Sequence, residues 1–169
     1  MVNIHPFEME FLKNTFLDAS AAVKLVIDEP GSEHIRKYFD SNFSHFYMTS
    51  LCLAEALGVL KRKMRKKEIN RDTYFDAVFD LMSHLEDENF RLDDTLKISL
   101  GNLNEAENLA RQHELDLSDA LQIVTVKERF KHWAYESKTV LATADRDLQK
   151  AAQQEGLRVW NCLDGPGPS

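Results

Sequence analysis

Short apolar runs recur along this chain, each followed by a longer stretch whose apolar residues return at helical spacing, and that alternation leaves few folds open. Thr15-Phe16-Leu17 runs into Asp18, and Ala21-Ala22-Val23 with Leu25-Val26 reads as a helix beginning near Ser20. Pro30-Gly31 marks a turn before a helix over Ser32–Phe39. Phe46-Tyr47-Met48 reads as the next strand, with Thr49 or Ser50 capping a helix from about Leu51 to Lys67 whose Ala54, Leu57, Leu60 and Met64 share a face. Asn70 caps a further helix with a stripe of Phe75, Val78, Phe79, Met82 and Leu85, and Phe90-Arg91-Leu92 is a brief extended segment. Ile98–Gln112 and Asp119–Phe130 read as helices, the second apolar enough to be buried on most sides. Thr139–Thr143 is a strand, Asp147–Gln154 a helix stopped by Gly156, and Leu157–Trp160 the last strand. Strands alternating with helices predict an α/β fold with a parallel sheet covered on both faces.

The 169 residues suit a single domain with a sizeable core, its body spanning about 14–161 and its tail over 163–169 expected to be flexible. No apolar run approaches the roughly 20 residues that span a bilayer, and MVNIHPFEMEFLKN lacks the pattern of a secretory signal, so the expected location is cytoplasmic with no membrane partner. Cys52 and Cys162 have no metal or redox spacing and are expected to be plain thiols. A net charge of −7 argues against a generic nucleic-acid coat protein. It does not argue against an enzyme whose pocket is acidic until a cation enters.

In open parallel sheets, ligands bind beyond the carboxyl ends of the strands. Asp18 and Asp145 each follow a strand, so both are delivered to the same edge. Either alone could be a helix N-cap. Glu55 sits among Leu51, Cys52, Leu53, Ala54, Ala56 and Leu57, and Asp119 precedes Ala120-Leu121-Gln122-Ile123-Val124. Asp119 could simply favour the positive end of a helix dipole, and Glu55 could be an exposed helix residue. Yet no Lys or Arg lies in the first two turns of either helix, and a buried carboxylate is costly unless paired or bound to a cation. Clustered carboxylates repel, and a hard divalent cation relieves the repulsion; an all-oxygen donor set suits Mg²⁺ or Mn²⁺. Such an ion can acidify a water and clamp a phosphodiester, with no catalytic Ser or His required.

The residues then resemble a family. Leu17-Asp18-Ala19-Ser20-Ala21-Ala22-Val23-Lys24-Leu25 is similar to the opening motif of PIN domains, and the Glu55 helix to their second acidic motif. Leu115-Asp116-Leu117-Ser118-Asp119-Ala120-Leu121 resembles the third, and Leu141-Ala142-Thr143-Ala144-Asp145-Arg146-Asp147-Leu148 the fourth. The resemblance implies a three-layer αβα sandwich and Mg²⁺- or Mn²⁺-dependent endoribonuclease activity. It implies Asp18, Glu55, Asp119 and Asp145 as metal ligands and catalytic residues, with Thr143 in support and Asp116 and Asp147 as extra acids. Small bacterial members of this kind resemble VapC-type toxins. The resemblance therefore adds an RNA substrate, a small antitoxin and a homodimer as expected partners. The rival from another class is a PIN-like module that binds a partner protein without catalysis.

Other features have two readings each. The run Lys61–Lys67 holds six basic residues in seven and could grip RNA phosphates or simply cap its helix with positive charge. Lys127, Arg129 and Lys131, with Phe130 and Trp133, could stack bases or be ordinary surface packing. The histidines show no zinc spacing, and G-x-G-x-x-G, Walker A and G-x-S-x-G are absent. A haloacid-dehalogenase-type phosphatase would need a second Asp where Ser20 stands, and the acid pattern of a phospho-receiver domain is missing.

Overall fold

The computed structural model describes residues 13–41, 44–86, 88–94, 99–132 (of 130–132 the backbone alone) and 139–168. The strands β1 (Lys13–Leu17), β2 (Ser44–Met48), β3 (Phe90–Leu92), β4 (Thr139–Thr143) and β5 (Val159–Asn161) form one sheet, in the order β3-β2-β1-β4-β5. Every pairing is parallel. Between the strands run α1 (Ala19–Val26), α2 (Ser32–Asp40), α3 (Ser50–Arg65), α4 (Arg71–His84), α5 (Leu100–His113), α6 (Leu117–His132) and α7 (Arg146–Gln154).

Successive strand side chains point to opposite faces, which divides the core in two. Leu17, Phe46, Met48, Val140 and Ala142 pack with α1 to α4, while Phe16 and Leu141 pack with α5 to α7. The result is the expected three-layer αβα sandwich. Consecutive strands lead outward from β1 through β2 to β3, and the chain then returns to add β4 and β5 on the other side. The order thus reverses between β1 and β4, where α/β proteins open their binding crevice. Among the described residues, no helix is long and apolar enough to cross a membrane.

Several elements differ from the sequence reading. The α3 helix ends at Arg65, with Lys67 turning left-handed at φ 60, two residues short of the expected end. Its buried stripe is Cys52, Ala56 and Leu60, whereas Ala54 faces outward. In α4 the expected stripe is split. Tyr74, Ala77, Val78, Leu81 and Leu85 meet the core, while Phe75, Phe79 and Met82 are 52%, 72% and 46% exposed. The helix has apolar residues on more than one side, and the side with the complete heptad spacing and the small Ala77 packs inward. The α6 helix begins at Leu117 rather than Asp119, which puts Asp119 in the first turn. Its consecutive residues Ala120 to Val126 are all buried, as expected of a helix enclosed on most sides. The expected start of α5 at Ile98 lies outside the described residues. Beyond β5, the chain lies beside α2, with Trp160 Nε1 donating to the Gly165 carbonyl over 3.2 Å.

Gly31 starts α2 at φ 91, and a Cβ built there would stand 3.0 Å from the Cys162 carbonyl oxygen. Both the backbone region and the close approach require glycine. Gly31→Ala should therefore lose about 1–3 kcal/mol of stability in urea denaturation, the cost of holding a side chain in that region; an unchanged midpoint would contradict this packing.

Candidate active site

The first strand is continued one residue past its end by a bond from the Asp18 backbone N–H to the Ala142 carbonyl, 3.1 Å long. Asp18 is thereby held against the end of β4 and also caps α1, its Oδ1 accepting from the Ala21 N–H at 2.7 Å. The Ser20 hydroxyl lies 2.9 and 2.8 Å from its two oxygens, and Thr143 Oγ1 donates to Oδ2 at 2.6 Å. Thr143 Oγ1 in turn accepts from the Asp145 N–H at 2.9 Å, and Ser20 Oγ from the Ala144 N–H at 2.7 Å. The two strand ends are therefore laced together by two hydroxyls. Asp145 caps α7 through Oδ1, which accepts from the N–H groups of Asp147 and Leu148 at 2.7 and 2.9 Å. The cap uses one carboxylate oxygen and leaves the other available.

Glu55 arrives from the second turn of α3 and Asp119 from the first turn of α6. All four acids line one cavity of about 350 Å³, together with Asp116, Ser20, Glu29, Cys52, Val59, Lys63 and Gln122. Thr143 is buried next to Asp18. Asp147 is exposed and does not line the cavity; its backbone N–H serves the Asp145 cap.

Burial, which outweighs the hydrogen bonds from Thr143, Ala21 and Ser20, pushes the Asp18 carboxyl up to about 6. Asp119 is pushed up to about 7, first by burial and then by repulsion from Glu55, Asp145, Asp18 and Asp116. Burial raises the Cys52 thiol to about 12 and the Cys162 thiol to about 11, so both free cysteines are inert thiols.

The donor set can be tested against a cation. Every acidic ligand offers oxygen, the donor preferred by hard divalent ions. Among the described residues, no three His, Cys, Asp or Glu side chains already stand at ion-holding spacing. That does not count against Mg²⁺, which is usually held by one or two carboxylates and keeps several of its waters. The cavity-lining Gln122 has a buried Nε2 with no hydrogen-bond partner among the described residues, while its Oε1 accepts from the Cys52 thiol at 2.8 Å. A buried N–H donor without a partner calls for an acceptor oxygen, such as a cation's water or a phosphate would bring. The residues fit the ion.

Sequence reasoning missed Ser20, Gln122 and Glu29, and flagged Lys63 only as one of the Lys61–Lys67 run. Gln122 had a signal, a lone amide inside the apolar run of α6. Glu29 had none, and nothing in the sequence picked Lys63 out of its run, because only the fold brings the α1–α2 turn beside α3. The basic-aromatic patch is resolved in part: Lys127 pairs with Glu155 at 2.7 Å, and Arg129 grips the buried Asp93 at 2.5 and 2.7 Å. These two cations are structural ties. The side chains of Phe130, Lys131 and Trp133 lie outside the described residues.

The fold and cavity define an α/β protein with an acidic pocket at the switch point of a parallel sheet. The sequence matches the PIN domain model over residues 15–154, and the chain belongs to the PIN-domain family, a nuclease-type family that generally uses divalent metal ions. Its fold is similar to the crystal structure of PAE2754 from Pyrobaculum aerophilum, at 20% identity and TM-score 0.55, covering 85% of this chain and 86% of that one. It is also similar to the crystal structure of FitAcB from Neisseria gonorrhoeae, at 16% identity and TM-score 0.53, covering 88% of this chain and 97% of that one. No curated protein matches the sequence.

The pKa shifts give a pH dependence with a definite sign. Asp18 and Asp119 hold protons more tightly folded than unfolded. Their favourable contribution is therefore complete below the unfolded Asp value of about 4 and is lost as pH rises through about 7. The metal-free protein should lose Tm between pH 5 and pH 8. Asp119→Asn should raise Tm by a few degrees at pH 8 and flatten that slope. Asp18→Asn should gain less, because Asn keeps one acceptor oxygen where Asp18 uses two, so either the Ala21 N–H or the Thr143 hydroxyl loses its acceptor. A flat wild-type profile would contradict the repulsion.

Proposed function

We propose that this chain is a divalent-metal-dependent endoribonuclease in which Asp18, Glu55, Asp119 and Asp145 hold one or two Mg²⁺ or Mn²⁺ ions and cleave RNA phosphodiesters. The observation that carries the reading is the shared cavity at the β1/β4 switch point, to whose lining four different elements bring these four carboxylates. When bound, the ion supplies positive charge against the phosphodiester and an acidified water. The chain's own residues do the rest. Thr143 and Ser20 fix both oxygens of Asp18, so that the carboxylate faces the cavity without rotating. Asp145 keeps one oxygen in its helix cap and offers the other. Asp119, held near 7, releases its proton as an ion enters, which couples binding to pH. Asp116 at the rim adds negative charge that favours the cation, and Gln122 Nε2 has a hydrogen bond to donate to a bound oxygen.

The resemblance to VapC-type proteins extends the proposal to the toxin of a toxin–antitoxin pair, acting in the cytoplasm as a homodimer. The solvent-facing Phe75, Phe79 and Met82 on α4, with Asp72, Asp76 and Asp80 on the same helix, favour a protein partner. A small antitoxin with an apolar, basic helix would suit that face.

Purified protein should cleave fluorescent RNA with Mn²⁺ or Mg²⁺ and not with EDTA. Asp18→Asn and Asp119→Asn should each lose on the order of 100-fold or more in kcat. Thr143→Val should lose about 10–100-fold, since it orients a ligand without touching the ion. Asp18→Asn cleaving at the wild-type rate would refute the site. Light scattering of the isolated chain should give a dimer mass; a monomer would remove the dimer from the proposal.

A further inference from the structure

Of the six basic residues in Lys61–Lys67, Lys63 is the one that lines the acidic cavity. Cys52, Glu55, Val59 and Lys63 recur every three or four residues, which puts them on one face of α3, and all four line the cavity. Lys63 lies two turns beyond Glu55, about 12 Å along the helix. Its neighbours point elsewhere: Lys61 lies over the Tyr74 ring at 5.0 Å, and Arg62, Arg65, Lys66 and Lys67 are exposed.

Lys63 is held in place by its surroundings. Its Nζ lies 2.8 Å from Glu29 Oε2, while Lys24 Nζ lies 2.7 Å from Glu29 Oε1. Lys24 and Glu29 are largely buried, and both cations drive the Glu29 carboxyl below its ordinary range against the opposing effect of burial. One carboxylate thus faces two ammonium groups, and the trio keeps a positive charge at the cavity wall. Glu68, 3.5 Å from Lys63 and about half exposed, offsets it weakly through solvent. The cavity therefore has an acidic end, around Asp18, Glu55, Asp119 and Asp145, and a cationic end at Lys63.

We infer that Lys63 binds a phosphate of the substrate strand next to the scissile one, so that the RNA lies along α3 with its cleaved linkage over the acids. This rests on the ribonuclease reading and assigns the strand's path within that site. The Lys63 backbone stands about 12 Å along α3 from that of Glu55, which places its ammonium for a phosphate further along the chain than the scissile one. The site then selects an internal stretch of strand over a single nucleotide. Glu29, paired on its other oxygen with Lys24, competes with that phosphate for the Lys63 ammonium.

The alternative is that Lys63 only clamps α3 to the α1–α2 turn. Steady-state cleavage of a fluorescent single-stranded RNA by the full chain with Mn²⁺, across a KCl series, separates the two. Lys63→Gln should raise KM about tenfold, leave kcat within about twofold, and reduce the slope of log KM against log salt by about one. Glu29→Gln breaks the same tie but keeps Lys63 charged, and it should lower KM. If both variants weaken cleavage alike and the salt slope stays at the wild-type value, Lys63 is a clamp and the inference is overturned. Thermal melts report whether each variant folds. If Glu29→Gln does not, Lys63→Arg replaces it, and should keep the wild-type slope. Wild-type protein that leaves RNA uncut would refute the ribonuclease reading and this inference with it. Wild-type protein that cuts, beside a Lys63→Gln variant with unchanged KM and slope, would refute the inference alone.

Discussion

The site depends on how β1 meets β4. Leu17 pairs with Ala142, and the ladder extends one residue further through the Asp18 N–H. That single extra bond fixes the Asp18 backbone in the extended conformation from which its side chain can cap α1. Thr143 ends β4 directly alongside, so its hydroxyl reaches the Asp18 carboxylate while its acceptor capacity is taken by the Asp145 N–H. Two chain segments far apart in sequence are thus joined by backbone and hydroxyl bonds at the one place where the sheet order reverses. Moving the register by one residue would turn every strand side chain to the other face and dismantle both the core and the pocket.

The same geometry explains why acids that cap helices can also serve a cation. An N-cap spends one carboxylate oxygen on backbone N–H groups, and those bonds fix the side chain's direction. Asp145 does this with Oδ1 alone. Asp18 is bonded on both oxygens, and burial still pushes it up to about 6. The capping and ligand readings of these residues are therefore two consequences of one placement. Asp119 shows the cost most plainly, since the other acids raise it further after burial has done so.

Much of this was legible in the sequence. The alternation of apolar runs and helical stretches implied a parallel sheet, and the two strand-end aspartates implied a shared edge. Glu55 and Asp119 stood out as acids in uncharged surroundings, and both line the pocket. What failed were facial assignments on helices with apolar residues all round. In α4 the three largest apolar side chains other than Leu81 and Tyr74 face solvent, because the spacing of Tyr74, Ala77, Val78, Leu81 and Leu85 makes the better inward stripe. Periodicity alone does not choose between two overlapping stripes. Asp147 neighbours a site residue in sequence, but two steps into the helix start turn it outward. The basic run around Lys63 was visible, but its pairing with Glu29 was not, because that pairing is purely tertiary.

The central claim is that the four carboxylates form a cation site. Crystals grown with Mn²⁺ and measured on the low-energy side of the iron edge and above the manganese edge give an anomalous signal that locates the ion without reference to activity. The account predicts a manganese peak inside the cavity, within coordination distance of Asp18 and at least one of Glu55, Asp119 and Asp145. A cavity with no such peak at saturating Mn²⁺, or a manganese ion bound only elsewhere on the chain, would contradict it.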